Sequence, residues 1–188
     1  MGFLDTLFGR TRTLSARVDA LFRLSTAEPD LEDKLQVRYG GRLAVVLRDM
    51  EASRFAKVLQ EARDILGRSS NDLPVTVAEA TDNLHFHWLI VKGKDLTAAL
   101  TGAHLVEQLA EEGGFSDALL AAIADFDQFC LVYSYRHGHF YPFCQTGPNR
   151  RDQSREIRVS AVLNPLLPME PDPGQWYPLW DPPWDAPA

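Results

Sequence analysis

A chain of 188 residues with 45% hydrophobic and 24% charged residues has the composition of a folded protein, and its length suits one domain better than two. Acidic residues number 26 against 19 Lys and Arg, which gives a formal net charge of -7, and the basic residues are scattered along the sequence. This scatter argues against a nucleic-acid groove, which needs concentrated Lys and Arg, and against recruitment to anionic lipid by charge alone.

The beginning of the sequence predicts a cytoplasmic protein with a short amphipathic segment. It has neither a signal-peptide pattern nor a run of about 20 apolar residues, so we expect Cys130 and Cys144 to stay reduced. Within MGFLDTLFGR, Leu4, Leu7 and Phe8 fall on one helical face. Residues 1–12 are therefore predicted to dock on the domain, a partner or a membrane surface, with a frayed terminus as the alternative.

The first part of the domain shows both helical and strand periodicity. Apolar residues at helical spacing predict a helix from about residue 14 to the Glu28-Pro29 step. The stretch LQVRYGGRLAVVLRD, residues 35–49, reads as a hairpin that turns at Gly40-Gly41. A second helix is predicted up to Gly67, with Asp49 as its cap.

The second part of the domain predicts strands and two more helices. VTVAEA and LHFHWLIVKG form a predicted hairpin, and Asp95 is predicted to cap a helix that ends at Gly113-Gly114. The stretch ALLAAIADF also suits a helix, but its position before FCLVYSYRHGHFYPF favours a strand. Asn149 is predicted to cap a last helix to about Leu163, although these residues also alternate like a strand. Residues 13–164 are thus expected to form a single domain.

A C-terminal segment, residues 165–188, differs from the rest in composition. It holds eight of the twelve prolines and three of the four tryptophans. Proline nearly excludes regular structure, whereas the tryptophan rings need burial or a partner. We expect an extended segment laid on the domain at least as far as Trp180, with the final residues loose.

Four histidines are the strongest candidates for chemistry. His85 and His87 lie two apart in a predicted strand and point to one face, and His137 and His139 flank a turn glycine. Four imidazoles from neighbouring strands would form a zinc or copper site, but no HExxH or CxxC motif accompanies them. The alternative is that they are polar-face and turn residues. No catalytic signature appears elsewhere, so the sequence predicts neither an enzyme nor a cofactor.

Three motifs together carry a resemblance to a known family. MGFLDTLFGR, then LVYSYRHGHFYPF followed by NRRD, and finally EPDPGQWYPLW resemble the PspA-associated PspAB family of actinobacteria in order and spacing, over residues 1–180. The resemblance implies an accessory protein of the phage-shock, or envelope-stress, response. It also implies association with PspA, a coiled-coil protein of the inner face of the cytoplasmic membrane, and with an HtpX-like membrane protease, and it implies no catalytic activity.

The predicted fold is α+β, a largely antiparallel sheet built from successive hairpins with helices packed on one face, similar to the YbjN and secretion-chaperone folds. The predicted function is a non-enzymatic adaptor beside PspA, cytoplasmic and peripheral at the inner face of the membrane. The alternative is a metal- or small-ligand-binding protein that uses the four histidines. The residues predicted to contact partners are Phe3, Leu4, Leu7, Phe8, Tyr135, Phe140, Tyr141, Phe143, Trp176, Tyr177 and Trp180.

Overall fold

A computed structural model describes residues 14–48, 52–68 and 75–186 of the chain. In chain order, its helices are α1 (Leu14–Leu35), α2 (Ala52–Arg68), α3 (Leu96–Glu112) and α4 (Gln153–Leu163). The strands are β1 (Tyr39–Leu47), β2 (Val75–Thr81), β3 (His87–Gly93), β4 (Leu119–Phe126), β5 (Phe129–Ser134), β6 (His139–Phe143), β7 (Gln145–Gly147) and β8 (Arg150–Arg151).

Six of these strands form one antiparallel sheet in the order β2-β3-β1-β4-β5-β6. The pairs β2-β3, β4-β5 and β5-β6 join strands that are consecutive in the chain, whereas β1 lies between two strands that follow it. Strands β7 and β8 form a separate small ladder. The helices pack against the sheet, so the prediction of an α+β fold is confirmed.

Both faces of the sheet are apolar, and different parts of the chain cover them. On β1, Leu43, Val45 and Leu47 belong to the core beneath the helices, whereas Ala44 and Val46 belong to a second core on the opposite face. This double burial explains why the strand reads as an uninterrupted apolar run, because each face of the sheet takes alternate residues. The face opposite the helices is called the second face below.

The predicted hairpin over residues 35–49 is wrong, because Tyr39–Leu47 is one strand. Gly41 has φ +82°, and the pairing of β1 with β4 shifts register between Tyr39 and Leu43. The glycines therefore form an irregularity within a strand rather than a turn. Gly40 has a further reason to be glycine, since a Cβ there would lie 2.5 Å from Oδ2 of Asp125.

Two predicted helix ends are also wrong. Helix α1 continues through Pro29 to Leu35, because its buried stripe continues from Ala27 to Leu31 and outweighs the backbone hydrogen bond that proline removes. Helix α4 is capped by Asp152, whose carboxylate accepts from the amide of Arg155 at 2.9 Å. Asn149 instead has φ +50° in the β7-β8 turn. The predictions for Asp95 and Gly113 are confirmed.

The predictions for residues 1–12 and for Asp49 as a helix cap lie outside the described residues.

Candidate functional site

The C-terminal segment runs across the second face of the sheet from one edge strand to β3. It starts beside β6, where Met169 forms a bridge with Phe140. Farther along, the ring of Trp184 packs edge-on against that of Trp88 in β3, with 6.2 Å between ring centroids. The ammonium group of Lys92 donates to the carbonyl of Ala186 at 2.9 Å, so the contacts continue beyond Trp180.

The first residues of this segment, together with α4, protect the outer edge of β6. The amide of Phe140 donates to the carbonyl of Pro168, and its carbonyl accepts from the amide of Glu170, both at 2.8 Å. Pro142 has no amide hydrogen to expose. The next outward amide, that of Cys144, donates to the Glu156 carboxylate at 2.8 Å. This edge of the sheet is therefore closed to pairing with another strand.

Arg151 holds the segment to α4 and to the sheet. Its Nε and Nη2 both donate to the buried Glu156 carboxylate, at 2.9 and 2.7 Å from Oε2, and its Nη1 donates to the carbonyl of Trp176 at 2.9 Å. The guanidinium lies 5.2 Å from the ring centroid of Phe143. One side chain thus joins a helix, a strand and the C-terminal segment.

A second arginine receives the far end of the segment. Arg42 on β1 forms an ion pair with the nearly buried Asp125 on β4, with 2.6 Å between Nη2 and Oδ2. Its guanidinium lies 5.4 Å from the Trp184 ring centroid. Burial raises the pKa of Asp125 even though the contact with Arg42 opposes that shift. Between the contacts at Arg151 and at Arg42, Gln145 also binds the segment. Its side chain donates to the side chain of Asp181 at 2.6 Å and accepts from the Asp181 amide at 3.0 Å.

A cavity of about 420 Å³ lies between the C-terminal segment and the sheet. Its lining includes Cys130 and Phe143 from the sheet, Leu179 and Trp184 from the segment, and Arg155 from α4. Burial raises the pKa of the Cys130 thiol to about 12, so the thiolate that a nucleophile needs is disfavoured here. The thiol of Cys130 is therefore an inert part of a lining that also includes aromatic rings and several charged or polar side chains.

Most of the rings predicted to meet partners are buried within the described part of the protein. Tyr135 and Phe140 belong to the core beneath the helices, and Tyr141, Phe143 and Trp176 belong to the core on the second face. Partner binding at these positions remains a prediction, and in this structure their rings contact the protein itself. Trp180 is half-buried against Phe143, and Tyr177 is 59% exposed. Phe3, Leu4, Leu7 and Phe8 lie outside the described residues.

The four histidines are not brought together. Strands β3 and β6 have three other strands between them, which separates His87 from His139 by about 19 Å at the usual strand spacing. The ring of His87 stacks on Phe55 of α2, with 4.1 Å between centroids, whereas alternation places His139 on the second face. His85 is exposed in the β2-β3 turn with φ +63°.

The second histidine pair instead surrounds one carboxylate. The Nδ1 atoms of His137 and His139 lie 3.5 and 3.4 Å from Oε2 of Glu170. Glu170 lies where the C-terminal segment starts to cross the second face, and its carbonyl accepts from the indole N–H of Trp176 at 3.1 Å. These histidines therefore lie at the junction between the β5-β6 hairpin and the C-terminal segment. Within residues 14–48, 52–68 and 75–186, no group of three or more metal-ligating side chains is arranged to hold a metal ion.

Sequence reasoning missed two buried glutamates and their partners. A buried glutamate on α3, Glu107, accepts a hydrogen bond from the hydroxyl of Tyr135, and Glu156 accepts from Arg151. The hydrophobic periodicity of a sequence predicts helices and strands, but it does not predict which arginine on one element pairs with which acid on another. The only available signal was a single acidic residue on a helical face that is otherwise buried. Charged side chains are almost never fully buried unless they are paired, so such a residue indicates a buried partner.

Comparison with known proteins gives one match. The family model PspAB, PspA associated protein B, matches residues 1–184. No curated protein and no solved structure matches the chain. Among the described helices, none combines the length and apolar character needed to cross a bilayer.

Proposed function

The chain belongs to the PspA associated protein B family, and we propose that it is a non-enzymatic adaptor that acts beside PspA at the cytoplasmic membrane surface. The family description indicates an accessory role linked to PspA. The observation that carries the proposal is the extent of the family match, which includes residues 1–12 at one end and nearly the whole C-terminal segment at the other.

The chemistry of the described residues supports binding rather than catalysis. The side chains that suggested a reactive site are engaged in packing: His87 stacks on Phe55, and both cysteines are buried free thiols. Burial raises the pKa of Cys144 to about 12, as it does for Cys130. An adaptor needs a stable scaffold with accessible surfaces, and these buried groups contribute to the scaffold.

The membrane side of the proposal depends on residues 1–12. Their apolar positions, Leu4, Leu7 and Phe8, share one helical face, and Asp5 lies opposite. Such a short segment binds a bilayer only marginally by itself, so association with PspA and with the membrane surface would reinforce each other. An HtpX-like membrane protease is a second proposed partner at the same surface.

Deletion of residues 1–10 tests this proposal. We expect the truncated protein to leave the membrane fraction of its own cells while its thermal unfolding midpoint stays unchanged, because the proposal assigns the segment to partner and membrane contact and not to core packing. A matched pair of variants refines the test: Leu7→Ser should reproduce the loss, and Asp5→Asn on the opposite face should not. A large fall in the midpoint with membrane association intact would instead assign the segment to core packing.

A further inference from the structure

The outer face of α4 and the short strand β8 before it expose basic and apolar side chains on an otherwise acidic protein. Arg150 and Arg158 are exposed, and neither forms an ion pair with another described residue. Ile157, between them in sequence, is 56% exposed and adds an apolar side chain to the same stretch. The chain as a whole has a formal charge of -7, so this local positive charge differs in sign from the protein around it.

The acids of the same stretch form no ion pair with Arg150 or Arg158. The Asp152 carboxylate accepts from the amide of Arg155 as the helix cap, and Glu156 is fully buried beneath Arg151. Arg155 is exposed and donates to the neutral side chain of Gln128. The positive charge of Arg150 and Arg158 is therefore available to a partner.

A small groove adjoins this face. Its volume is about 110 Å³, and Ile157, Pro173 and Trp176 form its apolar lining. The Arg151–Glu156 pair forms part of its wall, and Arg151 also donates to the carbonyl of Trp176. These contacts connect α4 to the C-terminal segment beside the groove.

The geometry points to this region, the α4 surface (Arg150, Ile157, Arg158 and the adjoining groove), as the docking site for an acidic segment of the protein partner. The inference rests on the proposed adaptor function and specifies the chemistry of its partner. Asp or Glu side chains of the segment pair with the two arginines, and one apolar side chain enters the groove. A discrete groove beside a few charges suits a peptide segment better than a lipid surface, which would meet a broad basic face.

Site-specific photo-crosslinking in the protein's own cells tests this inference. Ile157 is replaced by p-benzoylphenylalanine in the full chain, and the same replacement at Ile65 on α2, 39% exposed, is the matched control. We expect an adduct from position 157 that position 65 does not give, and we expect the crosslinked peptide to be rich in Asp and Glu. An adduct to lipid, an adduct to a peptide without excess acid, or no adduct above the control would overturn the inference.

Charge reversal supplies a second readout. Arg150→Glu with Arg158→Glu should weaken binding of the captured partner at least about tenfold at low salt, with a smaller effect at high salt, because complementary charges act mainly on association. Arg48→Glu with Arg136→Glu makes the same change in net charge at exposed positions near the opposite end of the sheet, and it should leave binding unchanged. Equal weakening by both pairs would overturn the inference.

The crosslinking also separates this inference from the proposed function. If wild-type protein captures a PspA-like protein and position 157 gives no adduct, the α4 surface is not the docking site and the adaptor role stands. If position 157 crosslinks an acidic segment of some other protein and no PspA-like protein is captured, the docking site stands and the PspA link fails.

Discussion

Arg151 and Glu156 form a two-pronged ion pair in which Nε and Nη2 of the arginine lie 2.9 and 2.7 Å from Oε2 of the carboxylate. The other carboxylate oxygen accepts from the amide of Cys144 at 2.8 Å, and the remaining guanidinium nitrogen donates to the carbonyl of Trp176. The family-like motif NRRD thus has a structural explanation. Its second arginine joins α4, the end of β6 and the C-terminal segment, and its aspartate caps α4.

Removal of Arg151 should destabilise the protein strongly. Arg151→Ala leaves the carboxylate of Glu156, which is fully buried, without its cation, and breaking a buried pair in this way costs about 3–5 kcal/mol. The exposed neighbour Arg150 provides the control, since Arg150→Ala should change the free energy of unfolding by less than about 0.5 kcal/mol. Urea denaturation of both variants measures the difference. Equal stabilities would show that the ion pair does not hold the segment.

The contact between Trp184 and Trp88 should contribute measurably to stability. Trp184→Ala removes a half-buried ring from the second face and its contact with Arg42, so we expect a loss of about 2 kcal/mol. The variant should also bind the dye ANS, because Trp88 and the apolar side chains around it become accessible. Tyr177→Ala, at a ring that is already exposed, should do neither. A Trp184→Ala protein as stable as the Tyr177→Ala protein would contradict the observed packing.

The raised pKa of Asp125 gives stability a defined pH dependence. Because the folded protein binds this proton more tightly than the unfolded chain, the resulting stabilisation is complete below the unfolded pKa and is lost as pH rises through the folded pKa. Relative to Asp125→Asn, the wild type should therefore lose stability as pH rises from below about 4, the ordinary pKa of aspartate, through the raised pKa of the folded protein. Asp117→Asn, at an exposed acid that does not act on Asp125, serves as control. A difference between wild type and Asp125→Asn that is flat with pH would contradict the burial effect.

Both thiols should react slowly in the native state. Cys130 and Cys144 are buried, and burial raises the pKa of each to about 12, so little thiolate exists near neutral pH. We expect iodoacetamide at about pH 8 to leave the native protein unlabelled and to label both cysteines in urea. Intact-mass analysis measures this directly. Rapid labelling of either native thiol would show that the C-terminal segment opens readily.

The sequence predicted the elements whose signals are local. The cap at Asp95, the stop at Gly113 and the strand character of residues 119–126 each follow from a few neighbouring residues, and all are confirmed. Gly40-Gly41 misled the prediction because a glycine pair suits a turn and an in-strand irregularity equally well. The choice between them depends on β4, which is about 80 residues away in sequence and brings Asp125 against Gly40.

The candidate site was harder to predict, because its pairs are long-range. Nothing local connects Arg151 with the carbonyl of Trp176, or Lys92 with that of Ala186. The histidine cluster was an attractive hypothesis because spacing within each pair was right. The hypothesis failed because β1, β4 and β5 lie between β3, which carries His87, and β6, which carries His139.

The measurement that tests the central claim most directly is capture of this protein, at its native level, from its own cells, with mass-spectrometric identification of what accompanies it. A variant without residues 1–10 is run in parallel. The adaptor account predicts recovery of a PspA-like coiled-coil protein with the full chain, and less of it with the truncated chain. Recovery of the full-length bait without any PspA-like protein, under conditions that preserve membrane complexes, would contradict the account.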